Sequence, residues 1–349
     1  MFLGYNCAQT TAFSDPARVA RIEASSHFSD GKFESVQVMG KNSLSAHTSA
    51  AWDFLFRDNN RVPDRKLPVQ PVDLAHFNTP APGQLNATWL GHSSLMIHLD
   101  GYKILTDPVF EKRISLVGPS RFNGAVPVDI EAIGNIDVVV ISHNHYDHLN
   151  KASICALKEK TQRFIVPLAV GALLEKWGVA RDRIVELDWW EEYRFDDQLT
   201  FVATPAQHFS GRGLMDRNKT LWASWVVKGP THRIFFSGDS GYFSGFKKIG
   251  EKYGPFDMTF MECGAYDPAW HAVHMFPEET VQAHLDLGGR VLHPIHWGTF
   301  NLSLHSWFDP MERLSAAAAL NNVTTALPVV GETTVYPARL PSRPWWNLN

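Results

Sequence analysis

Four potential metal ligands lie within six residues of the chain, in the segment SHNHYDHL that begins at Ser142. Their spacing is His-x-His-x-Asp-His, from His143 and His145 to Asp147 and His148. In a loop that leaves a strand, His143 and His145 can point to one side while Asp147 and His148 turn the other way. One loop can then serve two cations a few ångströms apart, as two-metal hydrolytic sites require.

The ligand types indicate which cations this loop would bind. Imidazole nitrogen combined with carboxylate oxygen suits zinc best, and the same ligands also accept iron or manganese. A histidine cluster can instead be a solvated turn, which is the better interpretation of a lone histidine. The spacing, directly after an apolar strand, favours the metal site here.

Two zinc ions with an open position need about seven or eight protein contacts, so further ligands are required. Three later strand ends offer candidates: His208 after LTFVATPAQ, Asp239 after RIFFSG and His296 after RVLHPI. The glycines around Asp239 let the backbone approach the metals, and a carboxylate there can bridge both ions. Each of the three can equally be a hydrogen-bonded loop residue, but with the first motif they complete a ligand set.

Two other polar residues occur in strand-like segments. Asp107, in LTDPVF, can accept the second ring N–H of a metal-bound histidine and fix its tautomer. It can also be a simple turn aspartate before proline. His92, in LGHSS, falls at a predicted strand position, and we interpret it as a buried core residue outside the site.

The elements that position these residues alternate between strands and helices. Residues 136–143 (IDVVVISH) are a continuous apolar run rich in β-branched residues, typical of a strand buried on both faces. Helices are predicted at 151–160, at 168–178 with Gly178 as C-terminal cap, and from Pro277 to the glycines at 288–289. Several further apolar strands end in polar, histidine-bearing loops. This pattern predicts an α/β layered protein with its chemistry at strand ends.

The pattern also divides the chain into three parts. Residues 1–84 are predicted to be an N-terminal extension that packs on the core, with one helix at 45–57 and a proline-rich surface segment at 62–82. The main domain is predicted at 85–336, followed by a C-terminal tail at 337–349.

Composition narrows the classes of function. The chain has 349 residues, of which 44% are hydrophobic and 19% charged, as in globular proteins. Its net charge of −4 and scattered basic residues provide no face for nucleic acid. Three cysteines (Cys7, Cys155 and Cys263) without a C-x-x-C spacing fit a reducing compartment. With no convincing signal peptide and no apolar span of roughly 20 residues, we expect a soluble protein, cytoplasmic or peripheral to a membrane.

Longer strings in the chain resemble a known family. The ligand order, His-x-His-x-Asp-His followed by a distant His, Asp and His, is that of the metallo-β-lactamase superfamily. One branch of it, the N-acyl-phosphatidylethanolamine-hydrolysing phospholipase D and its bacterial relatives, is similar in TWLGHSSLMI, LTDPVF, ISHNHYDHL, VELDWWEE, TPAQHFSGRGLMD, SGDSGY, HMFPEETV and IHWGTF. The resemblance runs in order from about residue 87 to residue 336, most of the chain.

The resemblance implies a four-layer αβ/βα sandwich with two zinc ions at its rim. One zinc would be held by His143, His145 and His208. The other would be held by Asp147, His148 and His296, with Asp239 between the two ions. His274 matches the family histidine that contacts the substrate phosphate, so Asp147 and His274 are the candidate catalytic residues. His271, three residues earlier, is interpreted as a loop histidine.

The primary functional hypothesis is hydrolysis of a phosphodiester in glycerophospholipids like N-acyl-phosphatidylethanolamine, by attack of a metal-bound hydroxide. A lactonase or other ester hydrolase on the same scaffold is the alternative. A di-iron oxidoreductase is less favoured because such relatives carry glutamate where this chain has His145. A non-catalytic binding module is less favoured because every ligand position is filled. The resemblance also suggests a homodimer and peripheral contact with a membrane.

Overall fold

The computed structural model describes residues 15–37, 60–116, 118–213 and 215–347. Its strands are β1 (Phe28–Ser29), β2 (Lys32–Phe33), β3 (Leu85–Trp89), β4 (Leu95–Leu99), β5 (Tyr102–Thr106), β6 (Ile136–Val140), β7 (Thr161–Pro167), β8 (Ile184–Leu187), β9 (Glu192–Arg194), β10 (Thr200–Thr204), β11 (Ser224–Lys228), β12 (Arg233–Phe236), β13 (Phe256–Glu262), β14 (Gly289–Ile295), β15 (Thr324–Thr325) and β16 (Thr333–Tyr336). The helices are α1 (Pro16–Ala24), α2 (Leu74–Asn78), α3 (Lys151–Leu157), α4 (Gly171–Lys176), α5 (Gly245–Tyr253), α6 (Pro277–Asp286) and α7 (Asp309–Leu320), with a 3₁₀ turn at Arg181–Arg183.

These strands form two seven-stranded sheets and one small hairpin, β1–β2. The first sheet has the order β16-β3-β4-β5-β6-β7-β8, and the second has the order β15-β14-β13-β12-β11-β10-β9. Pairing is parallel from β5 to β8 and from β12 to β15. In each sheet the carboxyl ends of several strands therefore lie along one edge.

The two sheets pack face to face, with helices on both outer sides. Ile97 and Val138 of the first sheet share a core with Phe201 and Phe260 of the second. On the outer side of the first sheet, α3 and α4 belong to a second apolar cluster with the strands. Helices α5, α6 and α7 cover the second sheet. The predicted four-layer αβ/βα sandwich is confirmed.

The predicted central strand is β6, and it is almost completely buried between β5 and β7. The metal motif follows β6 as a loop and then a turn. A hydrogen bond of 2.8 Å from the Leu149 N–H to the His145 carbonyl closes the turn. Helix α3 begins only at Lys151, with Asn150 as its N-cap, so Asp147 and His148 belong to the turn and not to the helix. The predicted C-terminal cap, Gly178, has φ +88°.

A buried ion pair joins α1 to the first sheet. Arg18 is only 2% exposed, its Nε lies 2.8 Å from Oε2 of Glu186 in β8, and it also contacts Glu175. A buried charge needs such partners because desolvation is costly. The helix predicted at 45–57 lies outside the described residues, and the boundaries at 84 and 336 stay predictions. Among the described helices, none is long and apolar enough to cross a membrane.

Candidate metal centre

The candidate ligands follow four strands that end close together at one rim of the sandwich. The first motif follows β6, His208 follows β10, Asp239 follows β12 and His296 follows β14. Two contacts join the sheets beside the motif: Ala223 N–H donates to the Ser142 carbonyl at 2.9 Å, and Trp225 Nε1 donates to the Ile141 carbonyl at 3.1 Å. The rim is therefore built from both sheets.

Three histidines form the first half of the site. His143 Nε2 lies 2.8 Å from His145 Nδ1, and His208 Nε2 lies 3.3 Å from the same atom. His143 and His208 are each 1% exposed. Three ring nitrogens that face one another at this spacing are arranged as ligands of a single cation.

Asp147, His148 and His296 form the second half. Asp147 Oδ2 lies 3.5 Å from Nε2 of both His148 and His296. His92 Nε2 lies nearer still, 2.9 Å from the same oxygen. These four side chains offer ligand atoms within 4.8 Å of one another.

Asp239 lies between the two halves. Its Oδ2 is 3.9 Å from His143 Nε2 and 3.7 Å from His208 Nε2 on one side. On the other side, the same oxygen is 3.2 Å from His148 Nε2 and 3.1 Å from His296 Nε2. Asp239 is 4% exposed. The structure thus brings together all seven predicted ligands, with the predicted bridging carboxylate in the middle.

Unsatisfied polar atoms supply an independent test of whether a cation fits. Within the described part of the chain, four buried atoms here lack a hydrogen-bond partner: His148 Nε2, Asp239 Oδ1 and both ring nitrogens of His296. His148 Nε2 and His296 Nε2 still lie near Asp239 Oδ2, but Asp239 Oδ1 and His296 Nδ1 have no such neighbour among the described residues, and an unpaired buried polar atom costs about 1–3 kcal/mol. A set of imidazole nitrogens and carboxylate oxygens suits a divalent cation such as zinc, iron or manganese, so the residues fit the metals that the sequence implies.

The electrostatics of the two halves differ. Burial lowers the pKa of His145 to about 4 and holds the pKa of His143 and His208 well below the ordinary value. These three rings are therefore neutral and ready to donate lone pairs. Metal ligation requires that deprotonated state.

In the second half of the site, the imidazoles of His148 and His296 are protonated in the metal-free protein. Burial acts to lower the pKa of His148 and His296, but the charges and hydrogen bonds of Asp239 and Asp147 together, with Asp107 for His148, outweigh it. The pKa of His148 lies well above its ordinary value, and that of His296 is raised to about 10. A cation that binds here must displace these protons.

Asp107 holds one ligand in place. Its Oδ2 accepts a hydrogen bond from His148 Nδ1 at 2.7 Å, and its Oδ1 accepts the Ser142 backbone N–H at 2.7 Å. Asp107 is fully buried. This contact is the tautomer-fixing one that the sequence suggested, and it leaves His148 Nε2 to face Asp239.

The predicted burial of His92 is confirmed, since it is 1% exposed, but its predicted strand position and its place outside the site are wrong. It lies in the turn between β3 and β4, with φ +55°, and its ring contacts Asp147. Its backbone is held on both sides: its N–H donates to Thr299 Oγ1 at 2.7 Å, and its carbonyl accepts the His296 N–H at 3.1 Å. His92 therefore links the second half of the site to the loop that carries His296.

His274 lies beside the ligands, with its ring centroid 5.2 Å from that of His208 and 5.3 Å from that of His296. Its Nδ1 is 3.2 Å from Oε2 of Glu262, a buried carboxylate at the end of β13 that was not among the predicted site residues. Burial raises the pKa of Glu262, and His274 acts against that rise. By contrast, His271 is half exposed and contacts Glu279, as expected of a loop histidine.

A close approach explains one glycine of the SGDSG motif. Gly238 has φ +56°, and a Cβ added to it would lie 2.5 Å from Ser142 Cβ. Only glycine adopts this conformation without strain while leaving space for the neighbouring loop. Gly238 thus lets the Asp239 loop pack directly on the loop of the first motif.

Comparison with known proteins gives a consistent family assignment. A family model described as a beta-lactamase superfamily domain matches residues 102–297. An uncharacterized protein of Mycobacterium tuberculosis is 42% identical over 96% of this chain and 91% of its own length. The N-acyl-phosphatidylethanolamine-hydrolyzing phospholipase D 1 of Caenorhabditis elegans is 35% identical over 73% of this chain and 75% of its own length.

A solved structure shares the fold. A metallo hydrolase from the hyperthermophilic archaeon Ignicoccus hospitalis superposes with a TM-score of 0.58 at 21% identity. The match covers 72% of this chain and 98% of that one. The shared fold therefore includes nearly all of that chain and leaves part of this one outside the match.

Proposed function

This chain belongs to the metallo-β-lactamase superfamily of metal-dependent hydrolases, and on that premise we propose that it is a two-zinc phosphodiesterase of phospholipase D type. Its substrate class would be glycerophospholipids like N-acyl-phosphatidylethanolamine, with phosphatidic acid and an N-acylethanolamine as products. The relative from Caenorhabditis elegans carries that activity in its name.

The observation that carries the proposal is the convergence of seven candidate ligands, with Asp239 Oδ2 at the centre; five are buried, and His145 and Asp147 are partly buried. Two nitrogens on each side lie 3.1–3.9 Å from that oxygen. A carboxylate with imidazole nitrogens on both sides could bridge two cations, which supports a two-metal centre. We assign His143, His145 and His208 to the first cation. We assign Asp147, His148 and His296 to the second.

Divalent cations in such a pair act as Lewis acids and lower the pKa of water to about 7. The protein supplies the geometry. Asp107 and His92 each hold one member of the second half through a hydrogen bond, so that its ligand atoms stay oriented. His274 lies beside the ligands with its side chain 13% exposed, so a substrate oxygen could reach it from solvent.

An enzyme of this type breaks the phosphorus–oxygen bond to the headgroup of the phospholipid and leaves its acyl ester bonds intact. The test is a metal count by elemental analysis, followed by headgroup release from vesicles of defined phospholipids. Two zinc ions per chain and release of N-acylethanolamine support the proposal. A two-zinc protein that leaves N-acyl-phosphatidylethanolamine and bis(4-nitrophenyl) phosphate intact but opens lactones would refute it in favour of the ester-hydrolase alternative.

A further inference from the structure

Glu262 is a buried carboxylate at the rim that carries the candidate metal ligands, and it is not itself one of those ligands. It ends β13, the strand between β12, which precedes Asp239, and β14, which precedes His296. The three strands are parallel, so Glu262 is delivered to the same edge as these two ligands. Its side chain is fully buried, and both of its oxygens are occupied by specific partners.

The two oxygens of Glu262 have different partners. Oε1 accepts the backbone N–H of Met275 at 2.9 Å, and Oε2 faces His274 Nδ1 at 3.2 Å. The backbone carbonyl of Glu262 also accepts the hydroxyl of Thr280 at 2.8 Å, which attaches helix α6 to the strand end. One carboxylate therefore holds both the ring of His274 and the backbone directly after it.

We propose that Glu262 is a positioning residue that keeps a proton on Nδ1 of His274 and turns Nε2 toward the substrate, making the pair a proton carrier for the leaving group. A carboxylate at one ring nitrogen fixes the tautomer and stabilises the imidazolium that forms during proton transfer. The proposal rests on the hydrolytic function proposed above.

The proton transfer involves only water, the phosphodiester and the ring of His274. Ionisation of a water molecule yields the attacking hydroxide and a proton, which Nε2 of His274 holds before attack. As the hydroxide oxygen bonds to phosphorus, the phosphorus–oxygen bond to the headgroup breaks with its electron pair on oxygen, and Nε2 passes the proton to the departing alkoxide. An alkoxide needs this proton, whereas 4-nitrophenolate is stable as an anion and leaves without it.

The substitution Glu262→Gln tests the contact between Glu262 and His274. The Met275 N–H needs a hydrogen-bond acceptor, whereas a protonated Nδ1 of His274 needs a second one. Met275 N–H requires an acceptor, so the amide oxygen of Gln would take the place of Oε1. The amide NH₂ would then face His274 Nδ1 and force the ring proton onto Nε2. The variant is therefore expected to keep the fold and two zinc ions while it reverses the tautomer.

The first readout is the ¹⁵N NMR spectrum of the histidine side chains in the zinc-loaded protein, with the His274 signals identified by their loss in His274→Asn. We expect the proton on Nδ1 in the wild type and on Nε2 in Glu262→Gln. The same tautomer in both proteins would overturn the proposal. Should Glu262→Gln fail to fold, a wild-type ring protonated on Nε2 alone would overturn it equally, and Glu262→Asp is expected to keep the wild-type tautomer.

The second readout compares two leaving groups. Glu262→Gln is expected to lose roughly 10²–10⁴-fold in kcat on N-acyl-phosphatidylethanolamine vesicles and less than about tenfold on bis(4-nitrophenyl) phosphate. Equal losses on both substrates would contradict the proton-carrier role. His271→Asn, which removes an exposed His–Glu contact of 2.8 Å, is the matched control and should change neither rate. A wild type that cleaves neither substrate would refute the proposed function, and the NMR result alone would then decide the role of Glu262.

Discussion

His92 Nε2 lies 2.9 Å from Asp147 Oδ2, the oxygen that also faces His148 and His296. This hydrogen bond orients the carboxylate of the second half of the site from outside the ligand set. His92 itself is held neutral, because burial lowers its pKa to about 3. A neutral ring with Nε2 as donor suits a carboxylate acceptor that must also bind a cation.

The first prediction concerns this contact. His92→Ala should weaken the affinity for the second zinc by roughly 10–100-fold, because Asp147 loses the group that orients it. A chelator-competition titration of the metal-free protein measures both affinities. Affinity for the first zinc should stay near the wild-type value. Equal binding of both ions by His92→Ala and wild type would show that His92 has no role at the centre.

The second prediction concerns the ligands themselves. Asp147→Asn and His145→Ala should each lower turnover by more than roughly 100-fold, because losing a ligand should cost more than losing its supporting contact. The fold should survive, since neither residue belongs to the apolar clusters. Circular dichroism and zinc content distinguish lost chemistry from unfolding. Wild-type activity in either variant would refute the assigned role.

The third prediction is a pH dependence of metal uptake. In the metal-free protein the pKa of His296 is raised to about 10 and that of His148 lies well above its ordinary value, so both rings carry a proton at pH 7. Zinc must displace these protons, and affinity for the second ion should rise roughly tenfold per pH unit for each proton displaced. Affinity for the first ion should be nearly flat above pH 6, because His143, His145 and His208 are already neutral there.

Isothermal titration in buffers of different protonation enthalpy measures the protons released by each ion. The same raised pKa values also affect the stability of the metal-free chain. His296 contributes stability that is complete below about pH 6.5 and is lost as the pH rises through about 10. Two ions with identical pH profiles would contradict the division of the site into a neutral and a protonated half.

The fourth prediction concerns loop packing. Gly238→Ala should destabilise the protein by about 1–3 kcal/mol, because it combines positive φ with a Cβ placed 2.5 Å from Ser142 Cβ. Urea unfolding of the metal-free protein measures the change. Gly124→Ala is the control: Gly124 has φ +80° but open space around an added Cβ. If the two variants lose equal stability, crowding against Ser142 contributes nothing.

The fifth prediction concerns contact with lipid. Leu116 and Met215 are large apolar residues that are 94% and 78% exposed, each in a segment outside the helices and strands. The second of these segments is joined to the metal motif through Gly211 N–H and Asn144 Oδ1, 2.8 Å apart. The double variant Leu116→Ser, Met215→Ser should lower kcat/KM on vesicles roughly tenfold or more through lost apolar insertion. Turnover of soluble bis(4-nitrophenyl) phosphate should not change, and a parallel loss on both substrates would argue against membrane docking.

Short-range patterns predicted an α/β layered protein and the seven candidate ligands that the structure brings together, and the family resemblance implied the four-layer sandwich. Buried parallel strands are long apolar runs, and the motif after β6 has a distinctive spacing. His208, Asp239 and His296 could be grouped with that motif because each follows an apolar strand. Elements that were not predicted include α5, α7 and β16, whose bounds depend on how they pack onto the sheets. The sequence also did not predict α1, α2, β1, β2, β9 and β15, most of which are too short to leave a periodic pattern.

His92 and Glu262 were missed for a different reason. His92 follows β3 and Glu262 ends β13. Their roles depend on the order of strands in the sheets, which neighbouring residues in the sequence do not reveal. Because β3 and β5 both pair antiparallel with β4, β3 points the same way as β6, and the turn after β3 reaches the metal rim. Glu262 reaches the rim because β13 lies between β12 and β14. The signal that could have identified both residues is an ionisable side chain at a strand end.

The most direct measurement is a crystal structure of the zinc-loaded protein with anomalous diffraction data at the zinc edge. The predicted result is two anomalous peaks on either side of Asp239, one among His143, His145 and His208. The other peak should lie among Asp147, His148 and His296. A single peak, or zinc bound away from Asp239, would contradict the two-metal centre on which the proposed chemistry depends.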